Sequence, residues 1–515
     1  MTQHTDIFIV GAGISGLTLA NLLTHYGLSY RIIDCKSVHE TSQNIILQAR
    51  TLEALNVIGI TKAIRATGKI LTAITVKPSD TVMLNLNFTE LEDTAYPYML
   101  MVQQSQLEAM LIKRLEKNSI TVERKKTLTD FMPSENGVTL TIEQDNGTIE
   151  IATASYLIGA DGADGMLRQL LGIHQQQDKA AWTVVNIALN RDFPQQDIFI
   201  SSHHNGLISI SPLASTDATH VQIAYAQNDA LIEQVTLESL QALMIEAGFD
   251  WDILAILGDV LVADGDSSQV EAYRHGQVLL LGDAAHGQIP FLTQDLNLSI
   301  LDAFNLAWKL AMVVRGKSSE RLLDSYQEER HPIGQQVQRS VDRLLSALVV
   351  DNSPIKRSVR NALLPMMARF QPVKHRLIDT LSQLGHHYKD ATTVRGQDGN
   401  LRAGQRLPNY PYVDIGGTTD LYTHLDNTKH TLLMVGDTNE LSDLAELIQK
   451  NYGSTVVPRI IDTQPVSNAP CPILVDVSGL IPLKPHLAYL IRPDQMIGLV
   501  STIAEMRAGA QQLFG

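Results

Sequence analysis

The chain has 515 residues, 44% of them hydrophobic, with a formal net charge of −15 and a pI near 5.5. That length can bury more than one core, so two or three domains are expected, and the acidic balance argues against binding a phosphate backbone as the main activity. Two cysteines, Cys35 and Cys471, leave no disulfide framework and no CxxC pair, and a polar opening with no apolar run near the ~20 residues of a bilayer span points to a soluble cytoplasmic protein that handles small molecules.

In chain order, Asp6–Val10 reads as a strand, Gly11–Gly16 as a glycine turn, and about Ser15–Tyr26 as a helix. Leu17, Ala20 and Leu23, with Leu19 and Leu22 beside them, give that helix a broad apolar face. Gly27 caps it and Tyr30–Asp34 forms a second strand, which completes a βαβ opening. The alternation in Gly137–Glu143 and Thr148–Ala152 predicts hairpin strands with Asn146-Gly147 at the turn. Residues 175–275 mix strand-like runs (Val184–Leu189, Val221–Tyr225) with a helix near 237–247 and read as a separate sheet-based lobe. Gln277–Leu281 is a short apolar strand that runs into Gly282-Asp283, followed by a long helix over roughly 295–315 and polar helices to about 387. Residues 388–410, with Gly396, Gly399 and Gly404, read as a linker, and the remainder as a small α/β domain.

The spacing Gly11-Ala12-Gly13-Ile14-Ser15-Gly16 between a strand and a helix is informative. The first glycine permits the tight turn, the second lets backbone approach a diphosphate, and the third allows close helix–strand packing. The diphosphate charge then faces the helix N-terminus, with Ser15 in its first turn. Asp34 is placed to accept hydrogen bonds from a ribose, and an acid there suits FAD or NAD better than NADP. The competing reading is a glycine-rich turn without a ligand, and the strand, helix and acid in their expected places weigh against it.

Further motifs distinguish FAD from NAD. Gly159-Ala160-Asp161-Gly162 with Arg168, Gly282-Asp283-Ala284-Ala285-His286, Pro290, Asn297, Asp302–Leu310, Leu323–Tyr326 and Glu329–Pro332 follow in order. Over nearly its whole length the chain resembles the single-component FAD-dependent aromatic hydroxylases. These are flavoprotein monooxygenases of para-hydroxybenzoate-hydroxylase-like fold, and the match is to the larger phenol and polyketide hydroxylases. The resemblance implies an α/β fold: a Rossmann-like FAD-binding domain (1–174 and, with a helical region, 276–390), an inserted β-sheet substrate lobe (175–275) and a thioredoxin-like C-terminal domain (391–515). Arg492-Pro493-Asp494-Gln495 matches the last strand of that domain, which without CxxC is structural. The resemblance also implies FAD contacts at Gly11, Gly13, Ser15, Gly16, Asp34, Gln104, Asp161, Gly282, Asp283, Pro290 and Asn297, with no metal site. NAD(P)H is the implied co-substrate, the substrate a small aromatic or polycyclic molecule, and the assembly a monomer or homodimer without nucleic-acid or membrane partners.

Departures from the family pattern cluster where the flavin ring should lie. Leu292, Thr293 and Asp295 replace small residues, mostly glycine, after Pro290; Gln43 stands for a common arginine, Ile46 for a glycine, and Cys35 for a frequent base. Where the glycines use positive φ, a leucine costs about 1–2 kcal/mol. A fixed Asp295 carboxylate about 5 Å from the N1–O2 edge would oppose reduced flavin by roughly 3 kcal/mol, about 65 mV for two electrons. The alternative is that Asp295 turns to serve the N-terminus of the following helix. Two enzymatic functions follow, beside a third reading as a non-catalytic binding or partner protein. One is an FAD- and NAD(P)H-dependent monooxygenase, in which His203 and His204 of the lobe are weak phenol-activating candidates. The other is a repurposed relative doing cyclisation, hydrolysis or isomerisation with Asp295 or His286 as proton-transfer groups.

Overall fold

The run Ile7–Val10 is buried on both faces, which is what a central strand of a parallel sheet requires. In the computed structural model, residues 3–37, 43–77, 84–134, 137–173, 180–203, 206–214, 217–227, 235–265, 269–287, 291–348, 370–414, 417–464 and 469–514 are described. The chain divides into two units: Met1–Glu90, Pro97–Ala303 and Gly334–Leu384 form the first, and Leu91–Tyr96, Phe304–Ile333 and Gly385–Gly515 the second.

In the first unit, five parallel strands lie in the order Val278–Leu280, Ile149–Gly159, Gln3–Val10, Tyr30–Asp34, Glu123–Arg124. Numbered by sequence this order is 5-4-1-2-3, a doubly wound sheet whose direction of growth reverses between Gln3–Val10 and Ile149–Gly159, the switch point where such sheets bind ligands. The helix Ile14–Tyr26 follows the first strand and ends at Gly27, whose φ of 67° is the left-handed cap glycine supplies. The expected hairpin is present as Gly137–Gln144 against Ile149–Gly159, extended by Lys126–Ser134.

A second, seven-stranded sheet builds the lobe, in the order Ile253–Gly265, Ala180–Leu189, His220–Gln227, Gly206–Pro212, Asp197–His203, Ala73–Val76, Leu84–Asn87. Its last two strands come from far earlier in the chain than the lobe expected from sequence. One face packs on the helix Leu237–Glu246 through Ile187, Ile208, Ile223, Leu240 and Met244. Thr236 and Ser239 close a reciprocal capping box at that helix's start.

The long helix is Gln294–Val314. By length and composition it could cross a bilayer, which corrects the expectation that no run comes close, but 83% of its apolar window is buried inside the protein.

The second unit carries a five-stranded sheet in the order Ile473–Val475, Val456–Asp462, His430–Val435, Leu487–Ile491, Ile497–Thr502. The first three are parallel and the last two antiparallel, with the helix Thr438–Tyr452 packed on the sheet. Cys471 is buried in this core, as a small hydrophobe would be. The segment read as a linker is instead an ordered part of this unit. Arg395, Gly404 and Leu407 donate their backbone N–H groups to Gly498, Ile497 and Gln495. A Cβ on Gly396 would lie 2.0 Å from the Val500 carbonyl oxygen, so here glycine serves close contact rather than freedom.

Three sequence motifs meet in the core of the second unit as one buried charge cluster. Glu329 accepts from Lys309 Nζ (2.9 Å), from both terminal nitrogens of Arg492 (2.7 and 2.8 Å) and from Asn305 (2.6 Å). Arg492 also pairs with Asp494 through Nε (3.0 Å) and Nη2 (2.5 Å), and its guanidinium lies 4.9 Å from the centre of the Trp308 ring. Two cations thus face two anions with almost no exposure. Burial opposes charge on Glu329, but Arg492 and Lys309 outweigh it and hold its carboxyl well below the usual range. Burial lowers Lys309 to about 8 despite Glu329.

Candidate cofactor site

Three adjacent parallel strands deliver the three glycine-containing motifs to one edge of the sheet. Val10 is registered with Gly159, and Gly159 with Leu280, so Gly11–Gly16, Asp161-Gly162 and Gly282-Asp283 leave the same carboxyl ends. The glycines divide their roles as the spacing demands. Gly11 has φ of 102°, and a Cβ there would fall 2.1 Å from the Ala160 oxygen. A Cβ on Gly16 would fall 2.0 Å from the Gly11 oxygen, whereas one on Gly13 would meet nothing within 4 Å. Gly13 is the N-cap of Ile14–Tyr26, no side chain caps that helix, and no acid sits in its first turn. Its first-turn N–H groups therefore form an anion site that a diphosphate backbone can approach.

The neighbouring turns are close. A Cβ on Gly282 (φ 63°) would lie 2.4 Å from Ser15 Oγ and 3.0 Å from Ser299 Oγ, so Ser15 and the Gly282-Asp283 turn pack directly. Asp34 is buried at the end of its strand; Oδ2 accepts from Ala12 N (2.7 Å) and Oδ1 from Lys36 N (2.8 Å). Arg124, which sequence reasoning passed over, brings Nη1 within 3.4 Å of Asp34 Oδ2. A two-residue strand has no periodicity by which it could have been found. Asp161 turns back on its own loop, where Oδ2 accepts from Leu167 N (3.0 Å), and burial raises its pKa.

The loop expected at the flavin ring takes the conformation that glycine would favour, without glycine. Leu292 and Thr293 both lie in the left-handed region, with φ of 52° and 49°. For a β-branched residue this is strained, at about 1–2 kcal/mol. Thr293 Oγ1 offsets that strain by accepting from Ile46 N and donating to Ile46 O, both at 2.9 Å. Asn297, fully buried, donates to Ile46 O and Thr293 O (2.7 Å each) and accepts from Gln48 N (2.8 Å). Thr293 and Asn297 thereby stitch the loop to the strand Asn44–Leu47. The Leu292 side chain is buried. Gln104 donates to Glu108 Oε1 (2.9 Å), and its N–H bonds the Gln43 carbonyl. Pro290 and His204 lie outside the described residues, and only the backbone of His203 is described.

Asp295 stands in the first turn of Gln294–Val314 and is partly exposed. Burial of its carboxyl and the Asp283 carboxylate push it up to about 7, against the backbone N–H groups of Leu296 and Asp295 and the charge of His286. Asp295 thus stands inside the first turn rather than at the N-cap, and its proton affinity lies near neutrality. His286 Nε2 lies 2.9 Å from Asp302 Oδ2, both side chains buried. Burial alone would lower the histidine, but Asp302, with Asp283 and Asp295, raises it.

A carboxyl whose folded pKa is raised favours the folded state below its unfolded pKa, near 3.9, and loses that contribution as pH rises through the folded value. Asp295→Asn should therefore melt higher than the parent around pH 8, with the gap closing near pH 4. Equal melting temperatures around pH 8 would show the carboxyl to be well solvated.

Residues 4–341 match the family described as FAD binding domain. Among known proteins, a 6-methylpretetramide 4-monooxygenase of Streptomyces rimosus is 28% identical over 98% of this chain and 93% of its own length. A dialkyldecalin synthase of Streptomyces rugosporus is 26% identical over 84% and 87%. The crystal structure of the flavin-dependent monooxygenase PieE in complex with FAD and substrate superposes with a TM-score of 0.80, at 20% identity, over 99% of this chain and 98% of that one, a likeness of fold.

Proposed function

The chain belongs to the FAD binding domain family, and from that premise we propose that it is a cytoplasmic FAD-dependent monooxygenase that oxygenates an aromatic or polyketide-type small molecule with NAD(P)H as reductant. The observation that carries this reading is the convergence of three strand-end motifs on a helix N-terminus whose Gly13 has room for a ligand. The residues present suit FAD: an uncapped helix end for the diphosphate, a ribose acid, and a second acidic turn at Ser15.

When bound, FAD supplies two-electron storage and oxygen activation, chemistry no side chain provides. The first-turn N–H groups after Gly13 would hold the diphosphate, Asp34 would orient the ribose, and Asp283 would face the ribityl side. The Thr293–Ile46–Asn297 stitch would keep the ring loop from yielding, so that the ring lies at a fixed distance from substrate held by the lobe. Asp295, with a proton affinity near neutrality, can release or take up a proton as charge at the ring changes.

That same carboxyl favours a second reading, non-redox acid–base chemistry such as cyclisation of a polycyclic intermediate, for which a dialkyldecalin synthase is a precedent among relatives. Purified protein separates the two. The first reading expects a yellow protein bleached anaerobically by NADH or NADPH, faster with a polycyclic phenol present, and then oxygen uptake. A yellow protein that neither nicotinamide bleaches, with a panel of such phenols, transfers support to the second reading. A colourless protein that takes up no added FAD rules out the first.

A further inference from the structure

We propose that Arg124 is a binding residue for the adenosine half of the dinucleotide, acting beside Asp34. The inference rests on the FAD reading above and assigns to that site a residue from the far edge of the sheet.

Glu123–Arg124 runs parallel to Tyr30–Asp34, with Ile33 registered on Glu123 and Asp34 on Arg124. Successive residues of a strand point to opposite faces, and registered residues of parallel neighbours share one. Glu123 accordingly bonds Arg31 and Lys126, each at 2.7 Å. Arg124 takes no part in that cluster and turns to Asp34, with Nη1 at 3.4 Å from Oδ2. Asp34 is meanwhile tied to the glycine turn through Ala12 N. One carboxylate thus joins the diphosphate turn on one side to a guanidinium on the other, at the strand end where a nucleotide ribose lies.

The contact with Asp34 leaves Arg124 under-used. Nη1 is buried without a hydrogen-bond partner, an arrangement a purely structural ion pair would improve by closing. The side chain keeps 21% of its surface, so part of it stays accessible to a ligand. A planar group with five N–H donors can donate to a ribose hydroxyl or an adenine ring nitrogen, or stack on the adenine face, beside the Asp34 acceptor.

The test uses full-length apoprotein, wild type, Arg124→Ala and Arg124→Lys. FAD binding is read by flavin fluorescence, and binding of ADP (adenosine without flavin) and FMN (flavin without adenosine) by calorimetry. Arg124→Ala should weaken FAD and ADP by the same factor, about tenfold for one lost charge-assisted contact, and leave FMN unchanged. Arg124→Lys should recover only part, because a point charge lacks the planar fork. Unchanged ADP affinity, or equal weakening of ADP and FMN with a lower melting temperature, would overturn the proposal and leave Arg124 a structural strand-edge residue. A wild-type protein that binds ADP but not FAD sinks the FAD reading alone, and the ADP comparison still decides the role of Arg124.

Discussion

Glu329→Gln should lower the unfolding free energy of the unit formed by Leu91–Tyr96, Phe304–Ile333 and Gly385–Gly515 by about 3–5 kcal/mol, the scale for removing one partner of a buried ion pair. The glutamine keeps the shape but leaves Lys309 and Arg492 facing Asp494 alone, with one cation uncompensated and buried. Lys309, already lowered to about 8, can escape by losing its proton. Arg492 cannot, so much of the penalty persists. Hydrogen exchange under increasing urea, read at Leu487–Ile491 and Ile497–Thr502, measures it. Replacing Lys309 and Glu329 together by Met and Leu should recover part of the loss, since matched removal spares the lone charge. A shift below about 1 kcal/mol for Glu329→Gln alone would show that water already reaches the cluster.

The second large effect is on cofactor affinity, and two neighbouring glycines should separate binding from folding. Gly13→Ala should leave the melting temperature unchanged, because its new Cβ meets nothing within 4 Å. It should still weaken FAD on the order of 100-fold, because the methyl occupies the approach to the helix N-terminus and displaces the diphosphate from its donors. Gly11→Ala should lose both. Its Cβ would lie 2.1 Å from the Ala160 oxygen at a φ of 102°, so the turn must move, at about 1–3 kcal/mol of strain. Thermal unfolding beside an FAD titration reads both quantities. If Gly13→Ala binds FAD like the parent, the diphosphate does not cross this turn.

Much of the fold was legible because its signals are local. The apolar run to Val10, the glycine spacing, the capped helix and the strand ending in Asp34 are short-range consequences of backbone sterics and periodicity, and they stand where expected. The lobe was legible only in part. Ala73–Val76 joins its sheet by pairing with Asp197–His203, more than 100 residues later, and carries Leu84–Asn87 with it as the edge strand; no local pattern encodes such a partner. The glycines of 388–410 misled in the same way, since glycine signals equally a free linker and a close backbone contact.

At the site, the sequence by itself determined which residues could form a dinucleotide cradle, because the three motifs are constrained by turn geometry and by the charge of a diphosphate. Tertiary structure alone decided what the departures mean. Leu292 and Thr293 hold a left-handed turn because Thr293 and Asn297 find Ile46 about 250 positions away. Asp295 is not a fixed charge, because burial and the Asp283 carboxylate, both settled by the fold, push its proton affinity up against the charge of His286. Glu329, Lys309 and Arg492, which stand in motifs far apart in the chain, become one cluster in the core. Hydrogen bonds and charges act over a few ångströms whatever the separation in sequence, so their partners are settled only once the chain has folded.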